Sequence, residues 1–315
     1  MTAWKPSASI ADLKKRADLI RTIRTFFEER GYLEVETPIM AKFGVTDRYL
    51  SNIRATFRSD TYYLQTSPEY HMKRLLAAGS GPIFQLARVF RDDELGRFHN
   101  PEFTLLEWYQ LGIDHHELMR EVDALLQVML GCGPLVKISY QALFLKYCDC
   151  DPFQASIAML KKTVARFELQ GVLAEEETDP DPYLFLLMSH VIEPQLAKAS
   201  TPMAVFDFPK SQASLARVEG AVALRFEVYY GGVELMNGFY ELTDATMQQV
   251  RFEADVQWAK AHGKEMSAPD TYLLAALQHG LPVCSGVALG VDRLMALALQ
   301  TMSIAATMAF DISRA

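Results

Sequence analysis

Cysteine is scarce in this chain of 315 residues: Cys132, Cys148, Cys150 and Cys284 are all there are, and none pairs in a C-x-x-C spacing. That argues against a zinc ribbon and against a disulfide framework, so the four are expected to be reduced and mostly buried thiols. Positive charge is also short. With 31 Lys and Arg against 39 Asp and Glu, the net charge is −8, which excludes the overall basic field of sequence-independent nucleic-acid binding but leaves room for a local patch. The opening MTAWKPSASIADLKKR has no apolar signal-peptide core. The longest uncharged stretch, Leu294 to Phe310, is broken by Gln300, Thr301, Ser303 and Thr307, which predicts a buried helix and not a membrane span. A cytoplasmic protein with no membrane attachment is expected. Repeats and low-complexity tracts are missing too. What is abundant is apolar surface: 50% of residues are hydrophobic, enough to bury a sizeable core.

Leu13, Ala17, Ile20, Ile23 and Phe27 recur at helical spacing, and Gly31 follows where a helix end favours a residue of positive φ. An extended segment, YLEVETPIM, comes next, its Pro38 suited to a sheet edge. Leu118 to Leu130 predicts a second amphipathic helix, and the acidic run from Gly171 to Phe185 a surface connection. FQLARVF (Phe84 to Phe90) and FTLLEWY (Phe103 to Tyr109) are aromatic-rich, β-prone runs that predict a hairpin. Their connection, far longer than the usual 2–5 residues, carries Arg91, Arg97 and His99, side chains suited to phosphate oxygens. Alone it is compatible with either a binding loop or a solvated charged one. Alternation places Phe103, Leu105, Glu107 and Tyr109 on one face of the second strand. A Glu in that apolar company needs a partner, from the protein or from a ligand.

RFEVYYGGVELMNGFYELTD, Arg225 to Asp244, predicts a tight hairpin turning at Gly231-Gly232, where both central positions need positive φ. Tyr230 then faces Val233, Tyr229 faces Glu234, and Glu227 lies diagonally from Glu234 on one face. Two converging carboxylates imply a cation between them, and hard oxygen ligands favour Mg²⁺. Glu241 points to the opposite face unless a bulge at Asn237-Gly238 shifts the register.

Taken together, the segments resemble the catalytic core of class II aminoacyl-tRNA synthetases, in particular the lysyl subgroup and its short paralogues that modify bacterial elongation factor P. The first motif is similar to FFEERGYLEVETP, the second to FRDDELGRFHNPEFTLLEWY and the third to GVALGVDRL, Gly286 to Leu294, with TSPEYHMKRLL between the first two. The resemblance implies an α+β fold, an antiparallel sheet flanked by helices, as one catalytic domain over residues 1–315. The first-motif helix starts near Leu13, which leaves no room for an anticodon-reading OB module and implies no anticodon-dependent tRNA binding. It also implies a homodimer built on that helix and on the strand Glu36 to Ile39.

For the site, the resemblance implies ATP as substrate with Mg²⁺. Arg91 would meet the α-phosphate, Arg97 and His99 the outer phosphates, Phe103 the adenine and Arg293 the γ-phosphate, with Arg91 and Arg293 the catalytic pair. Asp92, Asp93, Asn100, Glu234, Leu235 and Gly290 complete the ATP site, and Glu227 and Glu234 hold the metal. Ser67, Pro68, Glu69, Glu107, Tyr109, Glu241 and Ala288 would bind lysine or β-lysine, a diamino acid suited to so acidic a pocket. Arg91-Asp92-Asp93 stands where the family usually has Arg-Asn-Glu, a side chain one methylene shorter. Ala288 stands where lysyl-tRNA synthetases have Gly. The implied activity is adenylation of a lysine isomer and its transfer to a lysine of elongation factor P. The rivals are a tRNA-charging enzyme and an inactive amino-acid-sensing paralogue.

Overall fold

The computed structural model describes residues 4–92 and 95–315. Helix α1 (Ile10–Glu28) starts at Ser9, whose hydroxyl accepts from the Asp12 amide. Beyond it, Gly31 takes φ +76°. Two-residue strands follow, β1 (Leu33–Glu34) and β2 (Met40–Ala41), then β3 (Arg54–Phe57), β4 (Asp60–Leu64) and α2 (Glu69–Ala77). The expected hairpin is β5 (Ile83–Phe90) with β6 (Glu102–Leu111), antiparallel and in the register Val89 opposite Phe103. Helix α3 (His115–Leu130) opens with a capping box between Asp114 and Glu117.

Next come β7 (Val136–Ser139), α4 (Tyr140–Cys148), α5 (Ile157–Arg166), α6 (Pro180–Leu187), α7 (Glu193–Leu196), β8 (Met203–Pro209) and β9 (Val218–Glu219). The expected surface connection reaches only to Thr178. Asp179 caps α6, Pro180 stands at its first position, and Asp181 is buried, accepting from Ser211 and Gln212. An Asp-Pro step can open a helix as readily as fill a loop. Strands β10 (Val222–Tyr230) and β11 (Val233–Tyr240), helices α8 (Ala245–Ala261) and α9 (Thr271–Gly280), strand β12 (Cys284–Gly290) and helix α10 (Val291–Ala298) complete the chain. The uncharged stretch is therefore a short helix and a loop, and no helix among the described residues is long and apolar enough to cross a membrane.

The large sheet runs β1-β5-β6-β12-β11-β10-β8-β7, with β9 on β10, while β2, β4 and β3 form a small second sheet. Its interior is antiparallel, with a parallel pair at each edge. Alternation assigns its faces. Phe84, Leu106, Trp108, Val287 and Leu289 pack with Ile23, Phe27, Leu118 and Leu126 of α1 and α3. A second core joins α4 to α7 with β8 and β10, through residues such as Phe144, Leu187 and Phe208. The opposite face of the central strands stays open for polar side chains. Cys148, Cys150 and Cys284 are buried, Cys132 is partly so, and all four thiols are free.

Candidate functional site

The open face carries one row of facing residues: Gln85, Glu107, Ala288, Asn237 and Glu227 stand opposite one another in turn on β5, β6, β12, β11 and β10. Gly231 and Gly232 make the predicted turn with φ +59° and +78°, and Tyr229 faces Glu234. The register shift expected at Asn237-Gly238 occurs earlier, where Tyr229 pairs with Glu234 but Val228 with Met236, so Leu235 is the extra residue. Its effect is the one anticipated. Glu234, Asn237 and Glu241 come to one face.

At one end of the row lies a buried acidic pocket. Glu107 is 2% exposed; it accepts from the Ser67 hydroxyl at 2.8 Å and the Tyr109 hydroxyl at 2.6 Å. Ser67 also accepts from the Glu69 amide at the start of α2, and Pro68 caps that helix. Lys73, one turn along, is 2% exposed and reaches Glu69 at 2.7 Å and Glu241 at 2.6 Å. Glu241 Oε1 has no hydrogen-bond partner. Two carboxylates thus share one ammonium, with the third beside them held by hydroxyls. Burial first, then the charge of Glu69, pushes the Glu107 carboxyl up to about 7. Burial likewise raises Glu241 to about 8 against the pull of Lys73. Burial disfavours the charged form of Lys73, but Glu241 and Glu69 outweigh it and hold the ammonium well above its usual range. Gly286 is obligatory here, because a β-carbon on it would stand 2.2 Å from the Tyr109 ring and 2.8 Å from Glu241.

At the other end opens a cleft of about 740 Å³, counting its mouth, lined by Arg91, His99, Phe103, Glu234, Ala288, Gly290 and Arg293 among others. Arg293 sits in the first turn of α10, which Gly290 caps. Its guanidinium donates to the carbonyls of Glu234 (2.8 Å) and Phe98 (3.2 Å) and lies 2.5 Å from His99 Nε2. The third motif thereby holds the second-motif loop. Arg91 lies against the Phe103 ring, 5.2 Å from its centre. Asn100 and Leu235 line the cleft as well, though the Asn100 amide is engaged with the Glu102 carbonyl and the Ile312 amide. Arg97 is exposed and turned to the Met302 carbonyl, and Asp92 is exposed outside the lining, its amide donating to the Ser51 carbonyl. Asp93 lies outside the described residues.

Glu227 and Glu234 face the same side as Glu193 in an adjoining cavity. Arg225 and the Tyr229 hydroxyl bond to the Glu227 oxygens. Glu234 keeps 41% of its side chain open to the cleft, and desolvation there, then Glu227, raises its carboxyl.

Three contributors escaped the sequence reading. Lys73 was signalled by its position four residues after Glu69 amid apolar neighbours. Asn237 was signalled only through a register that the bulge displaced. Asp292, 2% exposed, accepts from the Thr104 amide and pairs with Arg16, each at 2.7 Å, fastening α10 to β6 and α1. No local pattern announces that long-range pair.

The family profile "tRNA synthetases class II (D, K and N)" matches residues 3–314. A protein of Edwardsiella ictaluri named elongation factor P–(R)-β-lysine ligase is 50% identical over all of this chain and 99% of its own length. Proteins of the same name from Hamiltonella defensa and Salmonella typhi are 48% and 50% identical, each over 99% of this chain and 98% of their own length.

Proposed function

We propose, from the premise that this chain belongs to the class II tRNA synthetases of the D, K and N type, that it is an ATP-dependent ligase that adenylates a lysine isomer, (R)-β-lysine in particular, and transfers it to a lysine side chain of elongation factor P. The observation that carries this reading is a buried pocket with three carboxylates and one ammonium, set one strand from a cleft lined by Arg91, His99 and Arg293. The relatives bear the name of that activity, and the pocket's uncompensated negative charge suits a ligand with an extra ammonium.

A substrate carboxylate is already ionised at neutral pH, so attack on the α-phosphate needs no general base. What the chain supplies is alignment and charge: Arg91 and Arg293 on the phosphates, Phe103 beneath the base, and the acidic pocket fixing the amino groups. Glu227 and Glu234 fit a Mg²⁺ ion by donor type, since Glu234 is open to the cleft and the Glu227 oxygens keep lone pairs beyond those taken by Arg225 and Tyr229. When bound, Mg²⁺ neutralises phosphate charge. The acceptor amine, with pKa about 10.4, must be placed where its proton can leave.

The reading extends to a single catalytic domain acting in the cytoplasm as a homodimer, with no anticodon-dependent tRNA binding. Leu33 (54% exposed), Ile39 (45%) and Met40 (40%) leave apolar surface on the segment that follows α1, which a second copy would cover. Sedimentation at micromolar concentration checks the dimer. For the activity, ATP–pyrophosphate exchange is measured with α-lysine and β-lysine, followed by mass spectrometry of elongation factor P incubated with enzyme, ATP, Mg²⁺ and β-lysine. One added lysyl mass, lost when the acceptor lysine is replaced, is the expected result. No mass shift beside efficient charging of tRNA overturns it.

A further inference from the structure

On the helix-covered side of the fold, away from the cleft, one ring nitrogen of His115, one of His116 and a carboxylate oxygen of Asp207 all lie within 4.8 Å of one another. None of the three lines the cleft. We propose that they bind a divalent transition-metal ion of the Zn²⁺ class, with water completing its shell, which clips the start of α3 to β8.

Four observations carry this. First, His115 Nε2 is 3.4 Å from Asp207 Oδ1, long for a charge-assisted hydrogen bond but close to the roughly 3.3–3.4 Å that separates two ligands each about 2.0–2.1 Å from a tetrahedral ion. Second, His115 is 4% exposed, so its Nε2 must find a polar partner among the groups gathered here and not in bulk water. Third, Asp207 takes φ +62° inside a strand, opposite the irregular step between Ala223 and Phe226 of β10. Bulges of this kind re-aim a side chain, and a strained non-glycine residue often marks a site. Fourth, the imidazoles are the first two residues of α3 and their ring centres lie 4.2 Å apart, so one short segment presents both rings together.

Two imidazoles with one carboxylate favour Zn²⁺, Co²⁺ or Ni²⁺ over Mg²⁺, which prefers oxygen. Lys137 does not compete: its ammonium is held 3.0 Å from the His116 carbonyl. The ion would tie the turn leaving substrate strand β6 to the sheet edge carrying β7 and β8.

The test is Co²⁺ titration of the untagged, chelator-stripped full chain, followed by visible absorption and Zn²⁺ competition. One equivalent should give a d–d band without thiolate charge transfer. His116→Ala should weaken binding at least about tenfold, as should Asp207→Asn, whose amide tolerates the left-handed backbone and keeps the fold intact. No stoichiometric band, a thiolate signature, or wild-type affinity in either variant overturns the proposal.

Discussion

The two ends of the site are built differently. The acidic end stands on strands and one helix, with Glu107, Glu241 and Lys73 each 2% exposed, Lys73 held by Glu241 and Glu69, and Glu107 by Ser67 and Tyr109. The phosphate end stands on a loop and a helix start, with Arg91 and Arg293 in the cleft but Arg97 turned outward to Met302. Rigid scaffolding suits the end that must discriminate one ammonium position from another. A loop suits the end that must admit and release a polyanion. On the proposed function, selectivity would rest on packed strands and phosphate binding on a loop.

The largest break in that contrast is expected from Lys73→Met. Removing the ammonium leaves buried Glu241 and partly buried Glu69 unpaired, a loss of about 3–5 kcal/mol for a broken buried pair. Urea unfolding measures it. A stability within about 1 kcal/mol of the parent would show that the carboxylates protonate or hydrate freely, and that the acidic end is no more rigid than the loop.

Arg293→Ala acts at the other end. If Arg293 meets the reacting phosphates as proposed, its loss should lower ATP–pyrophosphate exchange about 10²–10³-fold. The melting temperature should fall only modestly, since the variant loses the bonds to the Glu234 and Phe98 carbonyls but leaves the apolar core untouched. Arg91→Ala should behave alike. Near-normal exchange in either variant would remove the assigned role.

How far the sequence showed these ends follows from the same difference. Period-2 alternation placed Phe103, Leu105, Glu107 and Tyr109 on one face because each strand residue's direction depends only on its neighbours. The Gly231-Gly232 turn likewise fixed Tyr229 opposite Glu234. A bulge at Leu235 was not legible, since nothing in VELMNG marks which residue will be left unpaired. Lys73 escaped because an i,i+4 pair with Glu69 usually means a solvated helix face, and only tertiary packing buries it. The sequence did single out Arg91 and His99, which line the cleft, but not the loop's conformation: Arg97 and Asp92 answer to Met302 and Ser51, distant in sequence or outside the motif.

A smaller effect is expected where the two ends meet. Ala288 stands between Glu107 and Asn237 in the facing row and also lines the cleft. Ala288→Gly removes one methyl from the floor, and a methyl in a pocket is worth roughly 1–3 kcal/mol of discrimination. The ratio of kcat/KM for β-lysine over α-lysine should fall by about tenfold or more. An unchanged ratio would move selectivity away from this floor and back to the carboxylates.

The remaining effect is a pH dependence set by the acidic end, with the raised Glu234 carboxyl adding its own at the cleft. With Glu107 near 7 and Glu241 near 8, both raised from the ordinary 4.5, the folded protein holds protons that the unfolded chain releases. Raised carboxyl pKa values contribute stability that is complete below about 4.5 and fades as pH climbs through 7 and 8. Binding runs the other way, because an ammonium ligand prefers the ionised carboxylates, so affinity for lysine should grow by up to about tenfold per pH unit for each group over that window. ATP affinity should follow a different profile. Melting temperatures at pH 6 and pH 8, with and without saturating lysine, separate the two signs: the ligand-free value falls with pH while the lysine-induced rise increases. Equal lysine-induced shifts at both pH values would mean that the pocket is already fully ionised, with its excess negative charge screened by water and not awaiting a substrate.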